Sequence, residues 1–136
     1  MSSEIGFEIH MNYPYEDVLE RTKEALKKEG FGVLTSINVQ TTLKEKLDID
    51  FRPYTILGAC NPPLAHRALD QDAVTGLLLP CNVTVEANDE TSSIVRIANP
   101  EVIFTIGSLE ENSEIMEVAH EARERLERVA ESLVIA

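Results

Sequence analysis

At 136 residues, with 24 acidic against 12 basic side chains and a formal charge of −12, the chain is long enough for one domain with its own core and too acidic to suit a phosphate backbone. Two cysteines and the polar start Met1-Ser2-Ser3-Glu4 point to a reducing cytoplasm rather than a secreted disulfide scaffold, and no apolar run approaches the length of a membrane span. With no Trp, 4 Phe and 3 Tyr there is little to stack on bases, so nucleic acid and membrane are both set aside as partners.

Ile5, Phe7, Ile9 and Met11 alternate with Glu4, Gly6, Glu8 and His10, the period-two pattern of a half-buried strand with His10 on its wet side. Pro14 suits a first helical position, followed by acidic Glu16 and Asp17 and an inward stripe of Val18, Leu19, Thr22, Ala25 and Leu26; Lys27, Lys28 and Gly30 end that helix. Phe31, Val33, Thr35, Ile37 and Val39 then predict a second strand, and Thr42 with Glu45 a capping box for a short helix carrying Leu43 and Leu47. Asp50-Phe51-Arg52-Pro53 reads as a connection, and Tyr54 to Cys60 as a buried strand with Cys60 at its end.

Asn61 followed by Pro62 and Pro63 has the chemistry of a helix cap and first turn, opening a helix whose Leu64, Ala65, Ala68 and Leu69 face inward while His66 lies outside the stripe. From Gly76 the odd positions Leu77, Leu79, Cys81, Val83 and Val85 predict a strand with Cys81 on the core face and Asn82 opposite. Ala87-Asn88-Asp89-Glu90 supplies a turn, and Ile94 to Ile97 the return strand of a hairpin. Ile103 to Gly107 fits strand or loop. Ile115, Val118, Ala119, Ala122, Leu126, Val129, Ala130 and Leu133 mark a long amphipathic helix starting near Asn112-Ser113, with its many glutamates on the solvated side.

The order predicts a single α+β domain over residues 1–136, one antiparallel-rich sheet with its helices packed on one face. A sheet with open edges invites self-association as a homodimer.

Chemistry concentrates at two Cys-Asn pairs, Cys60-Asn61 and Cys81-Asn82. Three readings stay open. Both thiols are core hydrophobes with Asn61 as a cap; or Cys60 and Cys81, joined by His66, hold a soft metal ion or haem; or Cys60, just before a helix N-terminus, is an activated thiol with Cys81 resolving. The preferred function is a module that binds a small ligand or partner at Cys60, Asn61, His66, Cys81 and Asn82. No phosphate loop, nucleophile elbow or paired metal-binding histidines argue for an enzyme. His10 and His120 read as surface residues, and Tyr13, Tyr15 and Tyr54 as core edge or interface.

Five segments in this order and spacing, Gly32 to Val39, Thr42 to Leu47, Phe51-Arg52-Pro53-Tyr54, Ile56 to Pro62 and Gly76 to Cys81, resemble the family called domain of unknown function 302, over roughly residues 5 to 134. The resemblance implies a fold similar to half of the TATA-binding protein, strand-helix-strands-helix, usually as a dimer. It does not bring DNA binding with it, because the acidity opposes that function. Relatives carry Ile-Asp-His where this chain has Ile37-Asn38-Val39, so a histidine role there does not transfer.

Overall fold

The computed structural model describes residues 5–135. Five strands, β1 (Gly6–Met11), β2 (Gly32–Asn38), β3 (Tyr54–Cys60), β4 (Cys81–Ala87) and β5 (Ser93–Ala98), form one sheet in the order β1-β5-β4-β3-β2. Every neighbouring pair is antiparallel, so β1 and β2 are the two edges. Helices α1 (Tyr15–Lys28), α2 (Val39–Leu47), α3 (Pro62–Gln71), α4 (Pro100–Ile103) and α5 (Ser113–Val134) complete the chain. The fold is therefore α+β with its helices on one side of the sheet, as the alternation and stripes predict.

Strand parity sorts the two faces. Ile9, Val95, Ile97, Val83, Val85, Leu57 and Ala59 are buried on the covered face, where they meet Val18 and Leu26 of α1, Leu64 and Ala68 of α3, and the stripe of α5 from Val118 to Leu133. A second cluster of Phe104, Leu109, Ile115 and Ala119 closes one end of the core. Each fully buried aliphatic side chain of this kind stabilises the fold by about 1.5–3 kcal/mol relative to exposure.

Asparagine caps set the starts of four helices. Asn38, Asn61, Asn99 and Asn112 accept from the backbone N–H of Thr41, Leu64, Glu101 and Ile115 at 3.0, 3.3, 3.0 and 3.0 Å, satisfying donors that a helix start leaves free. Gly30 follows α1 with φ +85°. A side chain there would be strained, and a Cβ would lie 2.9 Å from the Asn61 amide nitrogen.

Several boundaries depart from expectation for local reasons. Pro14 is the residue before α1 rather than its first helical residue. Asn38 replaces the Thr42/Glu45 box as the cap of α2, which starts earlier and takes Val39 out of β2. The stretch Ala73–Leu78 is a 3₁₀ turn, held by Asp72 accepting from the Val74 N–H at 3.0 Å and by the buried Thr75 hydroxyl donating to the Asp72 carbonyl at 2.9 Å. Leu77, expected on the core face of a strand, is consequently 83% exposed. The Leu79–Pro80 peptide is cis, and β4 begins just beyond it at Cys81. Leu69 is exposed on α3 instead of facing inward. Within Ile103 to Gly107, only Phe104 is buried, behind the four-residue α4.

Candidate functional site

The cysteine segments meet at adjacent strand ends. Ala59 and Cys81 are register partners across β3 and β4, which places Cys60 one position out of phase with Cys81. Both thiols are free and half-buried. They line a largely apolar cavity of about 20 Å³ with Phe31, Asn61, Leu64, Ala68 and Phe104, barely the volume one water would need. Burial pushes the Cys60 thiol up, and burial reinforced by the neighbouring Cys60 pushes the Cys81 thiol up to about 11. Desolvation thus acts against the thiolate that the start of α3 is expected to favour.

Cys60, Cys81 and His66 are not brought together as one ligand set among the described residues. His66 is exposed on α3 and is not among the residues lining that cavity. Among the described residues no group of three or more His, Cys, Asp and Glu is placed to hold a metal ion, and two thiols alone make an incomplete shell. The cavity also leaves no space for a porphyrin. Asn61 is buried and committed to capping α3. Asn82, by contrast, belongs to the opposite face of the sheet.

Among the described residues no helix packs across that opposite face, and its cross-strand rows are polar at the centre. One row runs Glu8, Arg96, Thr84, Ile56 and Ile37 from β1 to β2. The Arg96 guanidinium donates to Glu8 at 2.7 Å and to Glu86, and Arg52 donates to the other oxygen of Glu86 at 2.6 Å. The four side chains form a neutral ladder of two cations and two anions. Burial alone would raise the Glu86 carboxyl, yet the bonds from Arg96 and Arg52 hold it below the usual carboxylate range. Bonds from His10 and Arg96 do the same for Glu8, and the bond to Glu86 raises Arg96.

Beside the ladder lies an open groove of about 820 Å³, bounded by Ile5, Phe7, Tyr54, Asn82, Thr84, Arg96, Ala98 and Ile103. Within it, the Thr84 hydroxyl is the one buried side-chain polar atom among the described residues that lacks a hydrogen-bond partner. Gly58 keeps the neighbouring part of the sheet close-packed, since a Cβ there would lie 2.2 Å from the Thr35 hydroxyl and 2.8 Å from Pro80 Cγ.

Parity already places Glu8, Asn82, Thr84, Glu86 and Arg96 on the wet positions of their strands, which is the signal that could have found this site. Tyr54 lines the groove. Tyr15 bonds through its hydroxyl to Thr55, and Tyr13 lies under the Arg21 guanidinium at 4.0 Å.

The family model described as domain of unknown function DUF302 matches residues 7–133, nearly the whole chain. The chain belongs to this family. The crystal structure of an uncharacterized conserved DUF302 protein from Bacillus stearothermophilus is similar throughout, with a TM-score of 0.83 and 28% identity over 96% of this chain and 99% of that one. No match was found among curated proteins. Among the described residues of this DUF302 protein no helix is long and apolar enough to cross a membrane.

Proposed function

We propose that this DUF302 protein is a cytoplasmic, homodimeric binding module whose ligand is a small, uncharged, largely apolar molecule with one hydrogen-bonding group, held in the groove on the open face of the sheet. The observation that carries this reading is the unpartnered Thr84 hydroxyl in a groove whose lining sets Ile5, Tyr54 and Ile103 beside the polar Asn82 and Arg96. A buried hydroxyl without a partner costs about 1–3 kcal/mol, and a ligand group that supplies the partner recovers it. The adjacent charges do not call for an ionic ligand, because Glu8, Arg96, Glu86 and Arg52 already neutralise one another. The cysteines move from the binding site to the core in this reading, whereas Asn82 stays in the site.

Nile red, a neutral dye with a single carbonyl acceptor, tests the groove directly. Its emission is expected to rise and shift to the blue with the folded protein, to be lost in the groove-filling variant Ala98→Trp, and to persist in Cys60→Ser. Thr84→Val is expected to weaken binding about fivefold, the loss of one ordinary hydrogen bond of about 1 kcal/mol. No emission change with the wild-type chain, or an undiminished change with Ala98→Trp of native circular dichroism, would refute the groove.

A further inference from the structure

The two sheet edges are built differently. Edge β1 carries Glu8 and His10, paired with each other at 3.2 Å and with Arg96 of β5, so charge guards its rim. Among the described residues, edge β2 bonds to β3 alone and has no such guard. From Gly30 through Leu43 the chain has no charged side chain, in a protein of which 26% is charged. Within β2, Leu34 is 68% and Ile37 49% exposed; the following α2 has no buried residue, and Leu47 and Ile49 beyond it are 61% and 46% exposed. A seven-residue, uncharged edge that exposes Leu34 and Ile37, with one side of its backbone unpaired among the described residues, is the arrangement that soluble monomers avoid.

We infer that the occupant of this edge is a second copy of the chain, with β2 pairing antiparallel to its twin across a twofold axis and α2 flanking the seam. Charge selects the copy. At −12 per chain, two copies repel wherever acidic helices would meet, and this uncharged segment is where they approach at the lowest electrostatic cost. A basic partner would instead be drawn to the glutamates of α5, and an acidic one repelled. Self-pairing satisfies the free backbone groups of both edges at once, as in β-augmentation, and leaves the groove of each open face accessible. The irregular register between Val33 and Thr35 sets Leu34 as the extra residue, so the regular pairing surface is Thr35 to Asn38. The inference rests on the homodimer in the reading above and names its face.

Light scattering of the full chain is expected to give twice the 15.1 kDa chain mass, and Leu34→Glu with Ile37→Glu to halve it while native circular dichroism and Nile red binding persist. Because these side chains are exposed, the double variant has little to lose in folding; should it nevertheless unfold, a single Ser36→Cys provides the second readout. Oxidation is expected to cross-link Ser36→Cys chains into a covalent pair and to leave His10→Cys chains single. A 15.1 kDa wild type refutes both the interface and the dimer, whereas a dimer that survives the double variant, or cross-links through His10→Cys instead, refutes the interface alone.

Discussion

Val83 and Thr84 are consecutive in β4, and they belong to different environments. Val83 is fully buried among helices, in a closely filled face where the cavity that both cysteines line is only about 20 Å³. Thr84 sits in a face with no helix over it, beside a neutral ion ladder and a groove of about 820 Å³. The contrast teaches that thiols and helix starts, the usual marks of chemistry, lie here beside the packed core, while the alternate positions that resemble mere solvated surface hold the organised polar groups.

The sharpest way to break this contrast is to damage each face in turn. Leu57→Ala on the covered face is expected to lower unfolding free energy in urea by about 2–5 kcal/mol, since the closely packed site cannot collapse around the loss; a loss below about 1 kcal/mol would mean the covered face is not the core. Glu86→Gln on the open face is expected to lose about 2 kcal/mol at pH 7, the worth of hydrogen bonds to a charged group. Its pH dependence has a definite sign. The folded carboxyl lies below its ordinary value of 4.5, so as acid is added the unfolded chain takes up the proton first. The contribution is complete above that ordinary value and fades as pH falls through the folded one. Melting temperatures recorded from pH 7 to pH 3 should therefore fall less steeply for Glu86→Gln than for the wild type.

Thr84→Val should go the other way, neutral or stabilising by up to about 1 kcal/mol in the ligand-free protein, because it removes a buried polar atom that has no partner. A clear destabilisation would show that the hydroxyl is satisfied, and the groove would lose its recognition element. The smallest effect concerns the thiols. With the Cys81 thiol near 11, roughly one part in a thousand is thiolate at pH 8, so iodoacetamide is expected to modify Cys60 first and both slowly. Rapid alkylation of Cys81 would return chemistry to the covered face.

Much of the architecture is legible because it is written in short periods. The bounds of β3, the core stripe of α5 and the Asn61 cap all follow from alternation, helical spacing or one local hydrogen bond. The apolar run Leu77-Leu78-Leu79 misleads because its hydrophobicity fits a strand, whereas Asp72 and Thr75 have already turned the backbone into a 3₁₀ segment. The site was harder to see for a different reason. Alternation says that Glu8, Thr84 and Arg96 share a face, but only the strand order, decided by pairings far apart in sequence, lines them up in one row. The cysteines show the converse: parity puts Cys81 inward, while the size of the cavity depends on Phe104 and Val118, which no local pattern connects to it.

The position of β1 also governs when the fold can close on the ribosome. Among the described residues its strand partner is β5, so Gly6 must wait for Ala98 and Met11 for Ser93 before these pairs find their register. The α5 stripe that covers β1 is later still. The nascent chain therefore carries its first strand unpaired through most of its synthesis, and the sheet closes by a long-range step of the kind that slows folding.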